Sequence, residues 1–393
     1  MIDFIFLFIF LLFINQVLYK SLSSKFAFFD KKLMNRLYWY HLLFFAIYYA
    51  YSFFNRSDSI VYFKNASVLR EDLMTVFLTG TKFIVFVASP LVQLGLSYIS
   101  IMLLFAWTGY VGFVFAYLFF RENITVKVTV FKKYDLLTLL LFLPNMHFWT
   151  VSLGKGSLIF MGLMLFIYAL RFPQKRIIPL IIGSFFVYMI RPHVMLFLLV
   201  GVMVGILTGR SKIGFGVKMI VLVASLGFLF VAQNSILKVA NLEGSENVIE
   251  DFDQFATSQS AKLVTADSGV DMSNYPIPFK FFTFWFRPLF VDSPGALGFF
   301  SSIENLIYLL LFAKICNKRF LKFIVRAPYL VKASLIIFVL TSFALTFVMS
   351  NLGIMMRQKS MVMYFGFFVI YYFLASEKYE IMQRNKPKPI LAE

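Results

Sequence analysis

Long apolar runs, separated by short basic or polar stretches, recur along the whole chain. A helix that crosses a bilayer needs ~20 mostly apolar residues, fewer where flanking side chains can snorkel. Eleven spans are predicted, at about 2–19, 37–54, 98–120, 135–152, 157–170, 177–190, 194–209, 216–237, 302–315, 333–350 and 361–376. The expected fold is therefore all-α: one polytopic transmembrane helical bundle over 1–376, followed by a short basic tail at 377–393. The stretch FIVFVASPLVQLGLS (83–97) is apolar but short, and Pro90 interrupts it, so a re-entrant or interfacial helix is predicted there. Two longer segments, 55–97 and about 238–301, fall on one side of the bundle; the second is polar before it turns aromatic in FFTFWFRPLF (281–290). The first run opens on Ile2, Asp3 and Phe4, without a basic n-region or a small-residue cleavage site, and is read as a retained helix.

Composition sharpens this pattern. Of 393 residues 60% are hydrophobic, 20% aromatic and only 14% charged, which excludes a soluble globular enzyme and a disordered chain. The net charge of +18 would suggest nucleic acid in a soluble protein, but here it follows the loops. One set of loops carries 25 basic residues and the opposite set 12, with the acidic residues biased the other way. Because Lys and Arg mark the cytoplasm, the N-terminus is expected outside and the C-terminus inside. The single Cys316 permits no intrachain disulfide. No Walker A, GxSxG, HExxH or CxxC pattern occurs, so neither an ATP-driven pump, a serine nucleophile, a structural zinc nor another cofactor is expected.

Five basic groups map to outer turns or outer span ends: Lys155, Arg191, His193, Arg287 and Arg357. Each could simply snorkel to headgroup phosphates. Together, on a face that should hold few cations, they could form a diphosphate site, for which the arginine fork is well suited. Asp58, in NRSDSIVYFKNA, reads either as a helix N-cap or as a base for a sugar hydroxyl, and the two are compatible. In LPNMHFWTVSLGKGS (143–157), Pro144 should bend the helix, while His147 and Trp149 could contact a sugar or belong to an aromatic belt. His41, inside the second span, reads as a packed, hydrogen-bonded side chain. The segment 284–310, with Arg287, Asp292 and Glu304, reads as an amphipathic surface helix or as a wall against a lipid chain.

The ordered motifs SDSIVYFKNA (57–66), LTGTKFIVFVASPLVQLGLSY (78–98), LPNMHFWTVSLGKGS, MIRPHV (189–194) and FRPLFVDSPGALGFFSSIEN (286–305) resemble the EpsG-like and Wzy-type polysaccharide polymerases of O-antigen, capsule and exopolysaccharide pathways. The similarity covers about 55–305. It implies a GT-C-like glycosyltransferase of the bacterial inner membrane that joins undecaprenyl-diphosphate-linked repeat units on the periplasmic face. Carried over by residue, it gives Asp58, Lys155, Arg191 and Arg287 as site candidates; Arg357, His193 (as base) and Tyr62, His147 and Trp149 (as substrate contacts) complete the expected site. A lipid-linked oligosaccharide, membrane lipid and a chain-length regulator or other export component are the implied partners. Related sequences often carry an acidic residue after the lysine, where this chain has Gly156. A polyprenyl-phosphate-sugar transferase and a non-enzymatic flippase are the rival readings; the charge-poor spans argue against a transport path.

Overall fold

Caps and prolines set the helix boundaries. In a computed structural model, residues 2–69, 72–210, 268–272, 274–293 and 295–385 are described, with scattered positions between 214 and 263. Of the predicted span 216–237 the described positions (216, 218, 219, 222, 223, 225–227 and 230) are helical, whereas most of 238–267 and the tail beyond Asn385 lie outside the described residues. Helix α1 (Ile2–Lys25) leads to α2 (Lys31–Phe54), whose first turn is closed by Asp30 accepting from the Leu33 N–H at 2.9 Å. The outer segment contains α3 (Asp58–Val68) and α4 (Thr81–Gln93), and then α5 (Tyr98–Asn123) crosses the centre. A small hairpin, β1 (Thr129–Val130) paired antiparallel with β2 (Tyr134–Asp135), precedes α6 (Leu136–Leu141) and α7 (Pro144–Thr150). These two replace the single span expected at 135–152. Pro144 lacks an N–H and fits the first turn of a new helix better than the interior of an old one.

Helices α8 (Lys155–Ala169), α9 (Ile177–Ile190) and α10 (Pro192–Thr208) follow. Within the segment predicted at about 238–301 lies α11 (Ile277–Phe286), and α12 (Gly295–Ala313), the basic α13 (Lys318–Arg326), α14 (Tyr329–Val348) and the 33-residue α15 (Leu352–Arg384) follow. Among the described residues five helices are long and apolar enough to cross a membrane: α1, α5, α12, α14 and α15. The count of eleven is not reached by this measure. Helices α4 and α8–α10 are apolar but have 13 to 17 residues, which at 1.5 Å per residue is shorter than a ~30 Å hydrocarbon core.

Helices α5 and α15 form the centre, buried around most of their circumference, while α1 lies at the edge. Asp3 Oδ2 accepts from the Ser97 and Ser100 hydroxyls at 2.6 Å, Trp107 Nε1 donates to Asn15 Oδ1 at 2.9 Å, and Tyr19 meets Tyr110. These contacts advance in step, so α1 runs beside α5 in the same direction. Contacts of α2 advance oppositely: Tyr98 with Ser52, Ala106 with His41, Tyr110 with Tyr38. At the end of the bundle opposite Asp3, Arg176 grips Glu122 through two bonds of 2.6 and 2.7 Å, tying the end of α5 to the start of α9.

One helix pair is set by small residues. Gly201 and Gly205 of α10, with Gly209 that caps it, form a stripe at one-turn intervals. A Cβ on Gly205 would stand 2.7 Å from the Tyr329 carbonyl oxygen and 2.8 Å from the Ala333 nitrogen of α14. Backbone atoms cannot swing aside, so only glycine permits this antiparallel approach, a means of helix association that does not depend on water.

Candidate functional site: a cationic group at one end of the bundle

Arg357, one turn into α15, donates to Asp58 Oδ2 at 2.5 Å. The pair joins residues 299 positions apart. Asp58 is the first residue of α3, and the cap is Ser57, which accepts from the Ser59 N–H. The expectation that Asp58 itself caps the helix is thus corrected: its carboxylate projects from the first turn, where the helix dipole favours negative charge. The start of α3 is fixed by a chain of hydroxyls. Tyr48 meets Ser57 at 3.2 Å, Ser57 meets Ser59 at 2.7 Å, and Ser59 meets Tyr98 at 2.7 Å.

Three further candidates share the electrostatic surroundings of this pair. Lys155, the first residue of α8, lies outside the apolar run and feels Arg191, Arg357 and Asp58. Burial, with the two guanidiniums nearby, pushes its ammonium down to about 8. Arg191 stands in the break between α9 and α10, where Pro192 begins the next helix. Its N–H is spent on the Val187 carbonyl at 2.8 Å, while its Nε is buried without a hydrogen-bond partner. Burial first, and Arg357 second, lower its pKa to about 10. The adjacent turn is held by the Gly80 N–H, which donates to the Met189 carbonyl at 2.7 Å. Tyr62, 5% exposed, faces the same group: burial and the Asp58 carboxylate raise its phenol, Arg357 opposes them, and its ring lies beside Gly154.

His193 adjoins Arg191 and Lys155, and burial together with those charges pushes its imidazole down to about 3. Its Nδ1 is buried and unpartnered. So low a value keeps the His193 imidazole neutral in this state. The group thus draws Asp58 and Tyr62 from α3, Lys155 from α8, Arg191 and His193 from the α9–α10 break, and Arg357 from α15. Its three cations face one carboxylate, so positive charge is in excess. Among the described residues no group of three His, Cys, Asp or Glu side chains stands together as a metal site would require.

Arg287 is held differently. Its Nε is ion-paired with Asp292 on its own turn, and its carbonyl oxygen accepts from Lys359 Nζ at 2.8 Å. Its Nε pair with Asp292 closes the turn that follows α11. That helix is no loose surface element. Trp285 stacks on Phe338 with ring centres 5.0 Å apart and donates to Ser342 at 2.9 Å.

His147 is corrected as a substrate contact. It is fully buried, with Nδ1 2.8 Å from His41 Nδ1 and Nε2 2.7 Å from the Leu141 carbonyl, and its ring lies flat on Phe113. His41 is packed and hydrogen-bonded as the sequence predicts. Trp149, half-buried, donates to Asn145 Oδ1 at 3.0 Å and lines a crevice of about 390 Å³ with Phe44, Phe148, Phe300 and Met356. This apolar crevice reaches the residue next to Arg357.

Sequence reasoning also missed a polar cluster behind the crevice. Lys359 and Glu304 are 1% and 2% exposed. Lys359 donates to Asn305 Oδ1 at 2.5 Å, while Glu304 accepts from the Asn145 N–H at 2.7 Å and from Tyr308. The available signal was an ionisable residue within an otherwise apolar helix, two positions from Arg357. The glycine after Lys155 has a steric explanation: a Cβ on Gly156 would lie 2.1 Å from the Trp149 carbonyl oxygen. No carboxylate fits there without moving the end of α7. Comparison with protein-family models, curated proteins and solved structures finds no match for this chain.

Proposed function

We propose that this helical membrane protein is a polysaccharide polymerase of the bacterial inner membrane, joining oligosaccharide repeat units carried on a polyprenyl diphosphate. One observation carries the reading: Arg191 is partly buried, with a buried and unpartnered Nε, and shares its surroundings with Lys155 and Arg357, which among the described residues only Asp58 offsets. Buried, uncompensated cations are costly unless a ligand anion completes them. A diphosphate would engage Arg191 and Arg357 through their forks and Lys155 as a point charge. The crevice beside Met356 would take the start of the lipid chain.

In the transfer, a hydroxyl oxygen of one unit bonds to the anomeric carbon of another. The bond from that carbon to the diphosphate oxygen breaks, and the lipid diphosphate leaves with the electron pair. Asp58 takes the hydroxyl proton once the incoming diphosphate has drawn Arg357 from it. The cations stabilise charge that grows on the leaving group, which favours the transition state over the ground state. Placing the site on the periplasmic face, with eleven crossings in all, an outer N-terminus and a cytoplasmic C-terminus, follows the basic-residue bias. Cysteine accessibility at Asn65 and Val128 tests it: position 128 reacting from outside would overturn the topology. A chain-length regulator would be the expected protein partner.

The deciding experiment is deletion followed by analysis of lipid-linked glycans. Accumulated single repeat units are expected. Units lacking a sugar would point instead to a transferase using a polyprenyl-phosphate sugar, and units trapped on the cytoplasmic leaflet to a flippase.

A further inference from the structure

The far end of the bundle carries a second cationic group, unrelated in position to the first. Twenty residues separate Arg357 from Glu377 on α15, roughly 30 Å at the rise of a helix. There, α13 and the end of α15 enclose a cavity of about 630 Å³. Arg210, Arg319, Lys322, Arg326 and Arg384 line it, against Glu377 and Glu380. The one ion pair among them, Arg319 with Glu377 at 3.5 Å, has an 85% exposed arginine and neutralises little.

The helix α13, KRFLKFIVR, has three faces. Phe320 and Phe323 pack on Phe373 of α15, with ring centres 5.3 Å apart in both cases. Leu321 and Val325, one turn apart, point away from the protein and are 66% and 74% exposed. Arg319, Lys322 and Arg326 lie between these two apolar faces and line the cavity. The helix is fixed at both ends. Asn317 Oδ1 accepts from the Phe320 N–H at 2.9 Å, and the Arg210 N–H donates to the Ala327 carbonyl at 3.1 Å. The cations are therefore held on a braced element, not on a free loop.

We propose that this cavity binds the headgroup of an anionic phospholipid, with its acyl chain lying along Leu321 and Val325. The excess of cations selects a net negative headgroup over a zwitterionic one, and arginine forks suit its phosphate. The two outward apolar side chains select a lipid over a water-soluble anion, which would gain nothing from them. A general excess of positive charge would account for the number of cations. It would not account for a cavity between two packed helices with an exposed apolar pair at its rim. The inference is independent of the proposed sugar chemistry.

The test uses the full chain, purified in mild detergent after equilibration with vesicles of equal phosphatidylglycerol and phosphatidylcholine. Native mass spectrometry reads the lipids retained. Preferential retention of phosphatidylglycerol is expected. Replacing Arg319, Lys322 and Arg326 together by Gln should lower that preference on the order of tenfold or more. Leu321→Ser with Val325→Ser should weaken retention of both lipids while keeping the preference. Should the triple variant fail to accumulate, Arg210→Gln with Arg384→Gln serves in its place. Equal retention of the two lipids, or an unchanged preference in the cation variants, overturns the proposal. So does inorganic phosphate binding the chain as tightly as the lipid, which would make this a free-anion site.

Discussion

Arg357 and Lys359 stand two residues apart on one helix and show how differently a fold can hold a positive group. Arg357 meets a half-exposed carboxylate, Asp58, and shares its surroundings with Lys155 and Arg191, neither of which finds an acid of its own among the described residues. Lys359 is 1% exposed and donates to two protein oxygens, Asn305 Oδ1 and the Arg287 carbonyl. The first arrangement has unused hydrogen-bonding capacity, and the second is closed. A group that serves the fold is satisfied by the fold, whereas one that serves a ligand is left with something to bind.

The largest expected effect comes from opening the closed arrangement. Lys359→Met strands Asn305 and the Arg287 carbonyl and removes a partner of buried Glu304; a loss of about 3–5 kcal/mol is expected. Thermal inactivation in detergent would read it, and an unchanged midpoint would erase the distinction between the two sites.

Arg191→Lys should do the opposite. Insertion and thermal midpoint stay as in the parent, while glycan polymer at matched membrane levels falls roughly ten- to hundredfold, because the charge remains but the fork is lost. Polymer output equal to the parent would return Arg191 to a snorkelling role.

Smaller still is the pH response. The Lys155 ammonium, lowered to about 8 by burial and two guanidiniums, loses its proton as pH rises through that value. Pyrophosphate affinity of the purified chain should therefore fall as pH passes from below about 8 to above it. Lys155→Arg should flatten the profile; titration calorimetry of both forms is the measurement, and identical slopes would remove Lys155 from the anion site. At the far end, Lys322→Arg should leave phosphatidylglycerol retention within about twofold, since only charge is asked of that exposed side chain.

Much of the architecture was legible in the chain. Apolar runs located α1, α5, α9, α14 and the core of α15, and Pro144 marked a real break, whereas α4 (Thr81–Gln93) runs through Pro90 without the interruption expected there. Crossing length was less legible, because a run of apolar residues does not reveal where a helix stops. The 135–152 run is continuous in composition but broken at Phe142 and Leu143. Within the site, the structure places Asp58, Lys155, Arg191 and Arg357 in one neighbourhood, yet nothing in spacing could exclude Arg287, whose partner Asp292 lies only five residues away. His147 was expected to contact a sugar from its place beside Trp149 in LPNMHFWTVSLGKGS; its real partner, His41, is 106 positions distant and invisible to local pattern. The Gly201, Gly205 and Gly209 stripe was readable and was overlooked beside the charged motifs.

That stripe has a mechanical consequence. Three backbone contacts spaced one helical turn apart act as teeth, so α10 and α14 cannot shear past one another without climbing over a neighbour. The two helices must tilt as a single plate. Arg191 adjoins one edge of the plate, and Arg210, bonded to the Tyr329 N–H at 3.3 Å, pins the other. Any movement of the buried guanidinium that carries the start of α10 is then a rotation of the whole plate, not a local adjustment.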